Sequence, residues 1–366
     1  MTIATTKTET AVRLFDEYRI RDVTFRNRLW VSPMCMYSSD NGFPNDWHLA
    51  HLGSRAVGGA GMVCVEATAV SPEGRITPAD SGIWLDEHVP AFARLTRFIK
   101  AQGAVPGIQI AHAGRKASTA PPWEGGKAVT PGNGGWQVVA PSATRFTDDY
   151  PMPREMTAVD IEKVVADFAA AAKRSIDAGF EVVEVHAAHG YLLHEFLSPL
   201  SNRRTDEYGG NLENRMRLPL AVANAVRRTV PEGLPVFVRI SATDWAEGGW
   251  DLEQSIEFAR RLKNIGIDLI DCSSGGLVPD AKIPVGPGYQ VPFAEAIRRE
   301  AGIATVAVGM ITEPAQAEAI VSSGSADAVM VARQFLRDPY FALTAARQLG
   351  GNVNVPRQYG RAIELR

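Results

Sequence analysis

The sequence contains little cysteine and no long apolar run. Three cysteines occur among 366 residues, Cys35, Cys64 and Cys272, and none of them forms a CxxC pair. An odd, low count argues against a disulfide framework, and the missing CxxC argues against a zinc ribbon or a cysteine-bound iron–sulfur cluster. No stretch of about 18 apolar residues is present, and the Thr-rich start lacks the apolar core of a secretory signal. We therefore expect a cytoplasmic protein without a membrane partner.

An excess of positive charge is also missing. Lys and Arg number 38 against 41 Asp and Glu, a net charge of −3, so the chain has no basic surface that would predict a nucleic-acid partner. The sequence has no GxGxxG, Walker or GxSxG motif, which argues against Rossmann, P-loop and α/β-hydrolase sites. A nicotinamide cofactor would have to bind without a Rossmann domain.

Eight short, mostly apolar runs alternate with helical patterns. Such runs are typical of parallel strands covered on both faces. The runs are Leu29–Val31, Met62–Val70, Pro106–His112, Val182–His186, Val236–Ser241, Leu269–Ser273, Ala304–Val308 and Ala328–Ala332. The clearest helices are predicted at Asp160–Ala178, with Thr157 as N-cap, and at Leu252–Asn264, Phe293–Glu300 and Pro314–Ser322. The alternation predicts an α/β fold, a closed (β/α)8 barrel, with a doubly wound open sheet as the alternative.

Two segments lie outside this repeat. Tyr18–Arg26 alternates apolar and charged residues, which predicts a hairpin that caps the bottom of the barrel. Ser118–Pro153 is rich in Pro, Gly and Trp, which predicts a long loop excursion over a site after the third strand. No linker divides the chain, so we predict a flexible N-terminal tail, residues 1–14, followed by one domain, residues 15–366.

The most informative polar cluster follows the fourth run. In a barrel, catalytic residues lie where the strands end, and His186, His189 and Tyr191 stand at such a position. Two neutral histidines could hold a carbonyl or nitro oxygen, while a protonated tyrosine acts as general acid. The alternatives are a metal site, for which the sequence supplies no evident third ligand, and two structural histidines.

Other polar residues on the predicted strands allow two interpretations each. Arg239 shares the inward face of its strand and either stabilises negative charge on a ligand or pairs with Glu184. Gln109 either binds a heterocycle or is satisfied by backbone. Arg333 follows the eighth run, where barrels commonly bind phosphate, or forms a surface ion pair. Lys116 either assists ligand binding or lies on the surface.

Four longer motifs are specific enough to indicate a family. They are SPMCMYSS at 32–39, GIQIAHAGRK at 107–116, HAAHGYLLHEFLSPLSNRRTDEYGG at 186–210 and DCSSGGL at 271–277. With these motifs the chain resembles the Old Yellow Enzyme family of FMN-dependent ene-reductases, and most closely its thermophilic-like bacterial subclass, which includes xenobiotic reductases. The resemblance extends from about Phe15 to Arg361.

The resemblance implies a cofactor, a substrate and roles for individual residues. FMN would be bound by Ser32, Pro33, Met34, Cys35, Ala67, Gln109, Arg239, Gly309, Met310, Ala332 and Arg333. Activated alkenes would be bound by Tyr37, His186, His189 and Arg361. Tyr191 would be the proton donor, Cys35 would tune the flavin, and no metal is implied.

The family also implies a kinetic scheme and an assembly. NADPH or NADH would reduce FMN, leave, and be replaced by an α,β-unsaturated carbonyl or nitro compound, which predicts ping-pong kinetics. Arg361 would reach the site of a neighbouring subunit in a homodimer or homotetramer. Two other functions compete with this one: a barrel metallohydrolase that uses the two histidines, and a flavin-binding redox sensor built around Cys35.

Overall fold

The computed structural model describes residues 12–362 as a closed barrel with added segments. The strands in chain order are β1 (Tyr18–Ile20), β2 (Val23–Phe25), β3 (Leu29–Val31), β4 (Met62–Ala69), β5 (Val105–Ala111), β6 (Val139–Ala140), β7 (Arg154–Glu155), β8 (Val182–Ala187), β9 (Val236–Ser241), β10 (Leu269–Ser273), β11 (Ala304–Ala307) and β12 (Ala328–Val331). The helices are α1 (Asp46–Val57), α2 (Val89–Ala101), α3 (Ala158–Asp177), α4 (Leu192–Leu197), α5 (Leu212–Thr229), α6 (Leu252–Asn264), α7 (Val291–Ala301), α8 (Pro314–Ser322), α9 (Arg333–Arg337) and α10 (Phe341–Leu349).

The barrel consists of eight parallel strands in the order β3-β4-β5-β8-β9-β10-β11-β12, which closes on itself. The (β/α)8 prediction is confirmed, and each predicted strand agrees with the observed one to within one residue at either end. Helices α6 and α8 have the predicted bounds. Thr157 is the N-cap of α3, since its hydroxyl accepts a hydrogen bond from the Asp160 amide at 3.2 Å.

Side chains fill the lumen of the barrel in two layers. The lower layer is apolar and includes Trp30 and Phe237, whose rings stack with centroids 6.0 Å apart. The upper layer, nearer the C-terminal ends of the strands, contains buried Glu184, Arg239 and Asp271. Strand alternation places these groups inward, because Asp271 is opposite Arg239 and two residues after Leu269 in the lower layer.

The predicted hairpin is confirmed and closes the lower end of the lumen. Strands β1 and β2 pair antiparallel, with Ile20 opposite Val23. Both residues pack in the lower layer together with Phe25, whose ring centroid lies 4.5 Å from that of Trp30. The alternating pattern of this segment thus turns its apolar side chains into the barrel and its charged ones outward.

Regular structure begins at Arg13, two residues before the predicted start of the domain. Residues 1–11 of the predicted tail lie outside the described residues. Arg13–Phe15 forms a short 3-10 helix in which Leu14 is fully buried. The backbone amides of Arg13 and Leu14 donate to the Glu318 carboxylate at 3.1 and 2.8 Å. An apolar side chain and a carboxylate on α8 thus fix this turn, ahead of the predicted start of the domain.

The long segment after β5 follows the predicted irregular course. It contains two short 3-10 turns, Pro122–Glu124 and Pro131–Asn133, and strand β6, which pairs with β7. Trp136 anchors it, since the indole N–H donates to the Glu73 carbonyl at 2.8 Å. Within residues 12–362, no helix has the length and apolar character needed to cross a bilayer.

Candidate active site

A cavity of about 490 Å³ opens at the C-terminal ends of the barrel strands. It begins at Arg239 in the lumen and extends over the loops that follow β11 and β12. Its polar and backbone lining combines guanidinium groups, amides and hydroxyls, all donors suited to an anionic or heterocyclic ligand. This lining includes Arg239, Ser273, Tyr289, Gln290, Gly309, Met310, Ala332, Arg333 and Arg337.

Three aromatic side chains meet beside this cavity. The His186 ring is perpendicular to the rings of His189 and Tyr191, with centroid distances of 5.1 and 5.0 Å. The His189 Nε2 atom lies 2.7 Å from the hydroxyl of Ser273, which lines the cavity. The structure therefore brings together the three residues that the sequence placed at one strand end.

Burial keeps the two histidines neutral and the tyrosine protonated. The pKa values of His186 and His189 are well below the ordinary value, mainly because of burial and secondly because of the nearby Arg239 cation. Burial likewise raises the pKa of Tyr191 well above its ordinary value. The Ala188 amide donates to His186 Nδ1 at 3.3 Å, so the ring proton of neutral His186 is on Nε2.

Cys35 and Tyr37 lie near Tyr191, on the loop after β3. Both are half-buried and pack with Tyr191 in a small apolar cluster. Burial raises the pKa of the Cys35 thiol, and the Ala67 backbone and the Tyr37 hydroxyl oppose this effect through hydrogen bonds. Cys35 is therefore a neutral thiol in this environment. Its loop is fixed by the buried Glu66, which accepts from the Met36 amide at 3.0 Å.

Arg239 is held in the upper layer by groups on two other strands. Its Nε lies 3.2 Å from the Asp271 carboxylate, and its Nη1 donates to the Ser32 hydroxyl at 3.1 Å. The pairing with Glu184 considered above is thus wrong, because Asp271 is the directly opposite residue on the next strand. Glu184 instead accepts a hydrogen bond from the Gln109 amide at 2.8 Å.

The loops after β11 and β12 present backbone to the cavity. Gly309 has φ of 117°, and a Cβ atom there would lie 2.6 Å from the Gln290 amide nitrogen, so only glycine fits. Met310 also has a positive φ, and Ala332 directly precedes the exposed Arg333, the first residue of α9. These four residues and Arg239 line one cavity.

Several residues predicted to bind FMN are not among those that line the cavity: Ser32, Pro33, Met34, Cys35, Ala67 and Gln109. Pro33 and Met34 are half-buried on the loop after β3. Arg361 is exposed on the C-terminal segment, which packs beside Gly59 through Val353, at the barrel end where β4 begins. Arg361 is thus not among the residues that line the cavity of its own chain. Within residues 12–362, no group of three His, Cys, Asp or Glu side chains is arranged to hold a metal ion.

Sequence reasoning missed several residues that shape the site. Gln290 donates to the Val308 carbonyl at 2.9 Å and accepts from the Ser274 hydroxyl at 2.6 Å, joining two cavity loops. Lys116 is not a surface residue, since its ammonium donates to the carbonyls of His189, at 2.8 Å, and Gly276. Burial lowers the pKa of Lys116 to about 7. The Lys116 partners and the Val308 partner of Gln290 are backbone groups, for which residue types alone give no signal.

Comparisons with known proteins agree on a family. Residues 13–352 match the NADH:flavin oxidoreductase / NADH oxidase family. The chain is 51% identical over 352 residues to an NADPH dehydrogenase of Listeria monocytogenes, covering 96% of this chain and 99% of that protein. It is similar to morphinone reductase in complex with tetrahydroNAD, with a TM-score of 0.77, 27% identity and coverage of 94% and 92% of the two chains. A Zymomonas mobilis old yellow enzyme homologue also matches, with a TM-score of 0.77, 27% identity and coverage of 93% and 94%.

These matches extend over nearly the whole barrel and include the loops that carry the site. The family predicted from the four motifs is therefore confirmed, and so are the oxidoreductase class and the flavin cofactor. The chain belongs to the NADH:flavin oxidoreductase / NADH oxidase family, as an enzyme of the Old Yellow Enzyme type with FMN as cofactor and a nicotinamide nucleotide as reductant.

Proposed function

We propose that the protein reduces activated alkenes, α,β-unsaturated carbonyl or nitro compounds, at the expense of NADPH or NADH. The observation that carries this proposal is the perpendicular meeting of His186, His189 and Tyr191 beside the cavity. Two neutral donors and one protonated phenol suit an oxygen that becomes negative and a carbon that needs a proton. The old yellow enzyme homologue among the structural neighbours supports the same class of reaction.

The cavity fits FMN by the chemistry of its donors. An anionic phosphate suits the exposed guanidinium of Arg333, and the glycine at 309 lets backbone approach it closely. Arg239 lies at the inner end, where it would stabilise negative charge on the flavin ring. Its Nε atom is buried and lies 3.2 Å from the Asp271 carboxylate, without the alignment of a hydrogen bond. We assign the remaining FMN contacts as predicted, to Ser32, Pro33, Met34, Cys35, Ala67, Gln109, Met310 and Ala332.

The two histidines orient the substrate. His186 presents its Nε2 proton, because Nδ1 accepts the Ala188 amide, and His189 has Nδ1 left for a ligand, because Nε2 engages Ser273. Hydrogen bonds from both rings to one substrate oxygen would withdraw electrons from the alkene. Bound FMN supplies the hydride, which comes from the nicotinamide and goes to the β-carbon. Tyr37, which packs near Tyr191, would contact the same substrate.

Tyr191 completes the reaction by protonating the α-carbon. Its raised pKa keeps the phenol protonated, and its contact with the His186 ring would bring it close to an oxygen bound there. Tyr191→Phe should therefore slow the alkene half-reaction by about 10²- to 10⁴-fold. Reduction of the flavin by NADPH should change little, because no proton from Tyr191 is needed in that step. Stopped-flow absorbance of each half-reaction, with cyclohexenone as oxidant, measures both.

Tyr37→Phe is the matched control, since it removes the hydroxyl of the other tyrosine that packs in the same apolar cluster. We expect it to raise the KM for cyclohexenone more than it lowers the rate of the chemical step. An equal loss in both half-reactions of Tyr191→Phe would refute the proton-donor role. A wild-type enzyme that bleaches with NADPH but is not reoxidised by any activated alkene would refute alkene reduction itself.

A redox-sensor function built around Cys35 is less well supported. Reactive cysteines are stabilised as thiolates, whereas burial here raises the pKa of the thiol. Cys64 and Cys272 are buried in strands of the barrel and face no ligand cavity. We therefore assign Cys35 to the flavin environment rather than to signalling. The three unpaired cysteines are consistent with the cytoplasmic location that we propose.

We further propose that the chain assembles as a homodimer or homotetramer with Arg361 in the neighbouring subunit's site. Arg361 is exposed, and its segment packs at the opposite end of its own barrel, so an interaction with a second copy is the arrangement that would use it. Light scattering should give a mass of two or four chains. A monomeric mass at assay concentration would contradict the proposal.

A further inference from the structure

The loop that carries His189 and Tyr191 is held by a fully buried histidine on the following helix. His194 lies on α4, is fully buried, and is absent from the residues that line the cavity. Its Nδ1 accepts a hydrogen bond from the Gly190 amide at 2.9 Å. Gly190 is the single residue between His189 and Tyr191, so His194 acts on the chain at the point that joins them.

The peptide unit between His189 and Gly190 is held on both of its sides. Its N–H donates to His194, and its carbonyl, that of His189, accepts from the Lys116 ammonium at 2.8 Å. Neighbouring backbone prevents displacement, since a Cβ atom on Gly190 would lie 2.3 Å from the Gly276 carbonyl oxygen. The orientation of this one peptide plane therefore sets where the His189 and Tyr191 side chains point.

A carboxylate fixes the tautomer that this arrangement needs. His194 Nε2 lies 2.8 Å from the Asp244 carboxylate, and both side chains are completely buried. The proton of neutral His194 belongs on Nε2, next to the anion, which leaves the Nδ1 lone pair for Gly190. Asp244 is itself anchored, because it accepts from the Ser198 hydroxyl at 2.6 Å and the Trp250 amide at 2.7 Å.

We propose that His194, oriented by Asp244, is a positioning residue for the reaction. It fixes the His189–Gly190 peptide and thereby sets the position of the substrate-binding histidine and of the proton donor. The kinetic consequence rests on the proposed function, whereas the consequence for the Gly190 amide does not. Loss of the Nδ1 acceptor frees the peptide, and a small displacement of catalytic groups lowers the rate far more than it lowers stability.

Two amide substitutions separate positioning from simple packing. Asparagine at 194 places its carbonyl oxygen near the site of Nδ1 and keeps an acceptor for Gly190. Glutamine places its amide near the site of Nε2 and keeps a donor for Asp244, but it loses the acceptor for Gly190. Both amides are neutral and smaller than imidazole. If His194 only fills space, the two variants should therefore have similar kcat and similar exchange of the Gly190 amide.

The experiment measures amide exchange and kinetics on the full chain loaded with FMN. In His194→Gln, hydrogen–deuterium exchange of the Gly190 amide should be faster, and kcat for cyclohexenone reduction should be lower, each by about tenfold or more relative to His194→Asn. Thermal midpoints of the two variants should fall together. Asp244→Asn is the second route, because its amide can donate to Nε2 and move the proton to Nδ1; we expect the same loss without altering His194.

The outcomes are distinct. Equal exchange of Gly190 in both variants, or a kcat that simply follows the thermal midpoint, overturns the positioning role. If His194→Gln does not fold, fast Gly190 exchange in Asp244→Asn supports the role and wild-type exchange there overturns it. Failure of the wild-type enzyme to reduce any alkene would refute the proposed function, yet the exchange comparison would still decide the role of His194.

Discussion

The two layers of the barrel lumen differ in what they contribute. The lower layer is a continuous apolar cluster in which Phe25, Trp30 and Phe237 contact one another. Two residues further along β9 the same inward face carries Arg239, and the upper layer holds two carboxylates as well. Burial of apolar rings stabilises the fold, whereas burial of charge opposes it. The lower layer therefore stabilises the barrel, and the upper layer supplies polar groups next to the ligand cavity.

The largest expected effect comes from removing an aromatic ring from the lower layer. Phe237→Ala removes a fully buried ring and should lower the free energy of unfolding by about 3–5 kcal/mol. Denaturant unfolding of the apoprotein measures the loss. Reaction rates per folded enzyme should change little, because the variant leaves Arg239 and the mouth intact. Equal losses of stability and of FMN affinity would contradict the separation of the two layers.

A substitution in the upper layer should have a smaller effect on stability. Asp271→Asn removes the negative charge 3.2 Å from Arg239 but keeps the shape and one acceptor, so we expect a loss of about 1–3 kcal/mol. Ser273→Ala, two residues along the same face, is the control for a change at this strand without a change of charge. A loss as large as that of Phe237→Ala would mean that the ion pair belongs to the structural core.

The smallest effect that we expect is a pH dependence of stability caused by Glu184 in the upper layer. Burial, and secondly the Asp271 charge, raise the pKa of Glu184 to about 8. Between the ordinary carboxyl pKa and this value the folded state binds more protons than the unfolded state, so Glu184 lowers stability as pH rises through that window. The melting temperature of Glu184→Gln minus that of wild type should become more positive from pH 5 to pH 8.5.

Glu181→Gln, just before the same strand, is the control, because this carboxylate pairs with Lys100 at the surface. A temperature difference for Glu184→Gln that does not vary with pH would show that Glu184 is charged throughout. In that case the upper layer would carry more negative charge than we infer.

The barrel was predictable because its strands are continuous apolar runs with glycine or polar segments between them. The same continuity hid Asp271, since a single carboxylate in an apolar run gives no sign of its partner. Its pairing with Arg239 depends on strand register, which is decided by closure of the barrel. His194 was not predicted, and Lys116 was left between two interpretations, for another reason: both bind main-chain atoms, which every residue possesses.

The residues of the site also differ in how far the sequence could predict them. Tyr191, His186 and His189 were found because they follow one strand and need only local order to meet. Arg333 and Arg239 come from strands far apart in sequence, and they share a cavity because the barrel closes. The role proposed for Arg361 requires a second chain, since its segment packs at the other end of its own barrel.

The hairpin of β1 and β2 has a consequence for how the enzyme meets its ligands. Because Ile20, Val23 and Phe25 seal the lower end and side chains fill the lumen, ligands can enter only from the C-terminal ends of the strands. Reductant, product and displaced water must all pass through the same mouth. Under the alternating use of one site that we propose, a product that leaves slowly would delay the next reductant, and we expect product inhibition. The part of the fold most distant from the reacting atoms thus determines the side from which ligands enter.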